Sequence, residues 1–579
     1  MLPGIFVLAV LCPLAAPADE SSPPRQGMHY SIDQLPADMD LPERGLLIPP
    51  SGSEIVCPAE FCRADGCFLV YETQWGSAPI IMDLAYEIAL EDTVYMIVKN
   101  ASDRIEAENM LIANGVNMDY VRFILFSQLS ENSIWVRDYG PWYVCEDGAK
   151  GTVDFWYPFT NDDYFPSTAG AFFGLPVYTN GLLLSGGNLM MDGNGMAFAT
   201  SIIYSYNPGY TEAQVRQLIE DYCGADSLVV LPILDVENTK HIDIFCKLVD
   251  DHTLIVGEYA SPGDGAGNNY YILNEIAAFL DSHRNLDDCN FEVVRIPMPP
   301  WESGSSMGVT RTYTNSLIIN DKVLVPVYGI EMDAEALSIY ESLLPRHEVI
   351  GIDSEQIIHR AGAVHCITKL HHSDNPLVVL HTPVDSLDYG EVPVIRFGLN
   401  PKFADTQAWV FSRLQSQESF TEVPASFYRG EWTATLPGME EDFEYYVLGT
   451  SVSGGVELTA SLPRSAPVEY FTVDVQEPTS VASGGFGDAR ILSVTISPNP
   501  LTTTTEIRCT APERGEATIA IYNVRGQEVR RFHCPDAGPK FAIPWDGTDD
   551  RGDPVATGIY VCRVQVAGEV GTAKLLILR

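Results

Sequence analysis

Four residues of this chain combine a reactive type with a context that can use it. Cys366 stands in AGAVHCITKL, after a Gly-containing turn and beside His365. A thiol becomes a nucleophile once nearby positive charge lowers its pKa; in an oxidising compartment its commoner role is half of a disulfide. His241 and Asp243 lie two apart in HIDIFCKLV, whose alternation reads as a strand. That puts Ile242, Ile244, Cys246 and Leu248 on one face and His241, Asp243, Phe245 and Lys247 on the other. A lone histidine is more often structural, but an imidazole beside a carboxylate is suited to acid/base work. The carboxylate favours the protonated ring, which then donates to a leaving amine. Asp138, in WVRDYGPW, follows Arg137. It reads either as half of a local ion pair or as a carboxylate that grips a planar cation through paired hydrogen bonds. In the second reading Trp135 offers its ring face to the same cation.

These residues need elements that bring them together, and the chain repeats itself. Three segments each read as two short strands, an amphipathic helix and another strand. They contain GGNLMMDGNGMAFATSIIY, HIDIFCKLVDDHTLIVGEY and YTNSLIINDKVLVPVYG, with helices expected near 211–223, 270–280 and 333–344. Thr211 with Gln214 forms the signature of a capping box. Two partial copies flank these segments, SIWVRDYGPWYVCEDGAKGTVDFWY and AGAVHCITKL. Near the start of each unit's first strand stands one polar or reactive residue: Asp138, Asn188, His241, Asn315 and Cys366. Such residues can merely cap strands, but five recurrences argue that pseudo-symmetry carries them to one axis. The expected fold is α/β, a five-bladed pseudo-symmetric α/β propeller over residues 28–372. The longest step, between His241 and Asn315, contains the Pro/Gly/Ser-rich PMPPWESGSSMGV, expected to act as a lid.

From about residue 375 the grammar changes to short strands without helices. Residues 375–475 are expected to form an immunoglobulin-like β-sandwich, 476–490 a linker, and 491–579 a second β-domain. Residues 1–18 read as a signal peptide, with an apolar run before Ala16-Pro17-Ala18, and no later run is long enough for a membrane span. The expected location is therefore secreted or cell-surface. The chain carries 34 basic and 78 acidic residues, a formal charge of −44. That field repels nucleic acid and anionic membrane and draws in cationic ligands. Setting aside Cys366 and Cys12, the ten remaining cysteines are an even number compatible with disulfides.

WVRDYGPW, GGNLMMDG, KHID, YTNSLIINDKVLVP and VHCIT, in this order and spacing, resemble the agmatine deiminase and Porphyromonas-type peptidylarginine deiminase family, over about residues 28–372. The resemblance implies a hydrolase that converts a guanidino group to a ureido group. In it Cys366 attacks the guanidinium carbon, and His241 protonates the departing ammonia and then activates water. Asp138 and Asp243 grip the guanidinium nitrogens. Trp135, Asn315, Asn188 and Asn238 are expected around the substrate. No metal and no organic cofactor is implied. ISPNPLTTTTEIR and WDGTDDRGDPVATGIYVCRV resemble the C-terminal sorting domains of type IX secretion cargo, so the secretion machinery is an expected partner. Asp546, Asp549, Asp550 and Asp553 read as a hairpin turn in preference to a calcium loop.

Substrate cues in the sequence conflict. Peptide-acting relatives hold a carboxylate with arginines just after the first hairpin. Here VDFWYPFTNDDYFP has none, and Asp162 and Asp163 are expected at that end of the pocket, favouring a free amine such as that of agmatine. The export signal and sorting tail favour an arginine residue in a peptide or protein. Amidino transfer and a catalytically inactive binding protein complete the alternatives.

Overall fold

The computed structural model describes residues 47–476 apart from 74–75, 131–132, 158–160 and 304–307. It also describes 493–577 apart from short stretches at 498–500, 502–503, 512–513, 524–527, 539, 553, 556–557 and 567–568. The expected signal peptide and linker, and the middle of the expected lid, lie outside these residues. The chain divides into two compact units, Met1–Pro478 and Thr479–Arg579.

The first unit contains five mixed sheets built to one plan. Each begins with an antiparallel pair, and a helix then leads to a parallel strand. In one, Cys246–Leu248 pairs with Thr253–Glu258, and the helix Asn269–Asp281 leads to Glu292–Pro297. Leu317–Ile319, Lys322–Val327 and Glu348–Asp353 repeat this around the helix Met332–Leu343. So do Met190–Met191, Met196–Thr200 and Ser227–Leu231 around Glu212–Cys223. The capping box expected at Thr211 and Gln214 is present, and Val215, Ile219 and Tyr222 on that helix are buried. The hairpin Trp142–Glu146 and Ala149–Trp156 adds the parallel strand Val177–Leu183. The remaining sheet joins two distant parts of the chain. Lys369–His372 pairs antiparallel with Ala64–Val70, which continues in parallel to Thr93–Val98 and Val121–Leu125.

Apolar layers hold these sheets together. One cluster packs Phe198, Ile255, Leu273 and Tyr340; another packs Leu69, Ile81, Met96 and Ile367. Burial of such side chains contributes roughly 1.5–3 kcal/mol each. Residues 378–476 form a four-stranded and a six-stranded sheet that share a core containing Ile395, Phe397, Val410 and Tyr445. In the second unit, three- and four-stranded sheets pack around Ile507, Ile519 and Trp545. There Asp546 accepts from the amide and hydroxyl of Thr548, and Asp549 from the amide of Arg551. Asp550 accepts from the amide of Arg531. The first two serve turns, the third meets the strand Glu528–Ala537, and Asp553 lies outside the described residues. No helix among the described residues is long and apolar enough to cross a membrane. All eleven described cysteines are free thiols, so the even number noted in the sequence does not correspond to formed disulfides.

One turn stitches two of the sheets. Asn320, in the hairpin between Leu317–Ile319 and Lys322–Val327, has φ of 51°, a backbone state asparagine tolerates better than most residues. Its side chain accepts from the Ala64 amide at 3.1 Å. It donates to the Ala64 carbonyl at 3.0 Å and to Asp92 at 2.7 Å. Asn320→Ala loses these buried bonds and strains the turn, a cost of about 2–4 kcal/mol. Asn320→Gly relieves the strain and should cost less. Chemical denaturation of the two variants against the parent checks the order.

Candidate active site

The recurring polar positions are presented by turns of helix ahead of the strands. Asp138 lies in the short helix Val136–Tyr139. Asn188 closes the 3₁₀ turn Gly186–Asn188, and Cys366 is central in another, His365–Ile367. His241 precedes the 3₁₀ turn Ile242–Ile244, and only Cys246–Leu248 is strand. The strand expected from His241 onward is therefore corrected. The alternation is real, but its first half is wound into a turn that brings residues 241 and 243 to one point. Asn315 lies two residues before the strand Leu317–Ile319.

These turns converge. The φ of Gly187 needs no glycine, yet a methyl group there would lie 2.7 Å from His241 Nδ1, 3.1 Å from Asp243 Oδ2 and 3.2 Å from Asp138 Oδ1. Asp138 Oδ1 is 3.7 Å from His241 Nδ1 and accepts from the Gly187 amide at 3.3 Å. Cys366 Sγ is 3.8 Å from Asp243 Oδ2 and 3.3 Å from the Asn315 side-chain amide, which donates to it. Asn315 Oδ1 accepts from the Cys366 and Ala363 amides at 3.3 and 3.2 Å, so one side chain fixes both the sulfur and its backbone. Asp138, His241, Asp243 and Cys366 are all at most 4% exposed. Electrostatic contacts are correspondingly stronger here than in water.

Trp135 packs on the Cys366 side of this cluster. A methyl group at Gly362 would lie 2.4 Å from Trp135 Cζ3 and 3.0 Å from Cys366 Cβ. Asn188 is buried beside Gly187, but its carbonyl accepts from the amide and hydroxyl of Thr200 at 3.0 and 2.9 Å; it fastens the turn to a strand. Asn238 is buried in the loop that leads to His241. That loop is shaped by Glu237, which accepts from the Thr239 amide at 2.9 Å and from the Lys240 amide. Lys240 itself has φ of 59°.

Three expectations change. Arg137 is committed elsewhere, donating to Glu60 at 3.2 Å and to the His365 carbonyl at 3.1 Å. Asp162 is not a pocket carboxylate. It accepts from the Ser130 amide at 2.8 Å and the Ser133 hydroxyl at 2.7 Å. Asp163 accepts from the Tyr157 amide at 2.7 Å. Both aspartates anchor the backbone, so neither carries the preference for a free amine drawn from the sequence. The sequence reading also passed over Glu60, which stands alone in CPAEFC with no motif around it. Its carboxylate receives Lys247, Arg137 and His365. Burial alone would raise its pKa, but Lys247, His365 and Arg137 hold it well below the usual carboxylate range.

A thiol, an imidazole and two carboxylates around one buried point suit attack on a planar cation. Comparison with known proteins agrees. The family model of the Porphyromonas-type peptidyl-arginine deiminases matches residues 56–371, more than half the chain. The chain belongs to that family. It is a hydrolase of the class that acts on carbon–nitrogen bonds in linear amidines, with deiminase activity toward guanidino groups. The agmatine deiminase of Pseudomonas syringae pv. tomato is 25% identical over 279 residues, 42% of this chain and 75% of its own length. That of Pseudomonas aeruginosa strain UCBPP-PA14 is also 25% identical over 279 residues, with the same coverage. Among solved structures, the agmatine deiminase of Enterococcus faecalis superposes with a TM-score of 0.51 and 20% identity. It covers 57% of this chain and 100% of that one, and it shares the fold.

The absence of a side chain at Gly187 should matter to the family's chemistry as well as to stability. Gly187→Ala is expected to fold with a loss of about 1–3 kcal/mol and to lose activity by about a hundredfold, the scale of a small displacement of neighbouring groups. Calorimetry with an ammonia-release assay separates the two effects.

Proposed function

We propose that this protein is an exported enzyme that hydrolyses peptidyl-arginine to peptidyl-citrulline through a covalent intermediate on Cys366. The observation that supports the chemistry best is the meeting of Asp138, His241 and Asp243 at one point beside the Cys366 sulfur. In this reading the five sheets close into a five-bladed ring. The pairing of Lys369–His372 with Ala64–Val70 supports that closure.

The substrate guanidinium enters with its N–H groups toward the two carboxylates. The bound cation favours a thiolate beside it, and the Asn315 amide donates to the sulfur. The thiolate attacks the guanidinium carbon, and protonated His241 donates to the nitrogen that leaves as ammonia. A water molecule then attacks the thiouronium carbon and gives its proton to His241. The carbon–sulfur bond breaks, and the ureido product leaves with the thiolate restored. The net change is one water consumed and one ammonia released per guanidino group. This chain's own groups suffice for every step.

An arginine residue of a peptide is the preferred substrate for two reasons. Asp162, one of the two aspartates that argued for a free amine, is buried and committed to the Ser130 amide and Ser133 hydroxyl, and Asp163 accepts from the Tyr157 amide. The apolar N-terminal run and the C-terminal β-domain fit an extracellular enzyme delivered by a type IX pathway. Agmatine is the second reading, favoured by the names of the matched Pseudomonas relatives. The purified full chain is expected to release ammonia and form a ureido product from arginine-containing peptides faster than from agmatine. Cys366→Ala should lose at least about a thousandfold in kcat, as loss of a nucleophile does. Product from agmatine alone refutes the peptide assignment. Unchanged turnover in Cys366→Ala refutes the nucleophile.

A further inference from the structure

Behind the reacting groups lies a chain of buried ionisable side chains to which the mechanism above gives no role. His365 sits between two carboxylates, its Nδ1 2.7 Å from Asp243 Oδ2 and its Nε2 2.6 Å from Glu60 Oε2. Two contacts of that length need two protons between three groups. A neutral imidazole supplies one, so either the ring is an imidazolium or one carboxyl carries the second. Glu60 also takes Lys247 and Arg137, with the Ile318 amide at 3.0 Å. Lys247 and Arg137 favour the ionised form of Glu60, so its carboxyl is not the one that carries the second proton. The remaining question is which side of the Asp243–His365 contact holds its proton.

Burial, with Arg137 and Lys247, works against charge on His365; the paired carboxylates work for it. A proton on Asp243 would cancel one of the two negative charges that face the substrate. We propose that Glu60 and His365 act as positioning residues: Glu60 holds His365 as an imidazolium, and the imidazolium holds Asp243 Oδ2 so that Asp243 stays ionised. Asp243 Oδ1 has no hydrogen-bond partner among the described residues and less than 1 Å² of exposed surface, so it is the atom left for a guanidinium N–H. The assignment rests on the deiminase reading and adds to it the device that keeps the substrate carboxylate charged inside the protein.

The groups that face this chain come from several elements. Glu60 lies ahead of Ala64–Val70, and Arg137 and Asp138 lie on Val136–Tyr139. His241 and Lys247 flank the turn that carries Asp243, and Cys366 and Lys369 follow His365. Lys369 is buried over the Trp142 ring at 3.6 Å, and burial lowers its pKa well below the usual lysine range. It therefore does not replace the imidazolium as a fixed cation.

Nitrogen NMR of the full chain labelled with ¹⁵N-histidine reads the protonation directly, the His365 signals being those lost in His365→Gln. Both His365 nitrogens should be protonated in the parent at pH 8, and one proton should be lost in Glu60→Gln. A parent ring with either nitrogen unprotonated overturns the proposal, whether or not any substrate is turned over. In kinetics, Glu60→Gln should lower kcat about tenfold or more with KM changed less than about threefold. The acid limb of kcat/KM should move to higher pH, because the substrate site loses the positive charge held beside it. Glu60→Asp should bring the limb back toward the parent. A loss uniform across pH, or no loss, overturns the proposal. Glu60→Gln strands two buried cations, so Glu60→Gln with Lys247→Met provides the same comparison should the single variant not fold. A parent without deiminase turnover refutes the proposed function and leaves the NMR result to decide the role of Glu60.

Discussion

A protein that takes a cation out of water must surround it with negative charge that has itself survived burial. Isolated carboxylates in an apolar interior pick up protons, and a cation placed beside them for support competes with the ligand. This fold separates the two requirements in space. Asp138 and Asp243 face inward to the Gly187 notch, while Arg137, Lys247 and His365 gather on the far side around Glu60. The supporting cations are tied to an anion of their own and so do not occupy the substrate's place.

The glycines serve the same end. A methyl group at Gly186 would lie 2.1 Å from the Arg137 carbonyl, so this residue lets the turn that carries Gly187 pack against the helix that carries Asp138. Its neighbour leaves open the space on which three reacting side chains converge. Two adjacent positions without side chains thus set both how closely two turns approach and what can fit between them.

Much of this was legible in the sequence. The helix-period stripes and the Thr211–Gln214 capping box marked real helices within a residue or so of their ends. The recurrence of one polar residue per unit picked out Asp138, His241, Asn315 and Cys366, which do meet. Asn188 obeyed the same recurrence, and its carbonyl oxygen is held by Thr200 of a strand, because pseudo-symmetry places a residue without deciding what its amide bonds to. The turns that hold the reacting groups were hidden, since three residues of 3₁₀ helix leave no periodic trace and HIDIFCKLV alternates like a strand. Asp162 and Asp163 misled for a related reason: a carboxylate in an acidic stretch looks solvated until the amides that claim it are in place. Glu60 had no local signal. Its meaning depends on residues 77 to 305 positions away.

The sheet that joins Lys369–His372 to Ala64–Val70 has a consequence for biogenesis. Cys366 stands just before the last strand of the repeat region, and that strand pairs with one near the region's start. Contacts of such sequence separation are slow to form, and a ribosome must release the whole region before they can form at all. A nascent or prematurely terminated chain therefore contains the aspartates and the histidine but no working thiol beside them. Competence arrives in a single late event, when the two ends of the region meet.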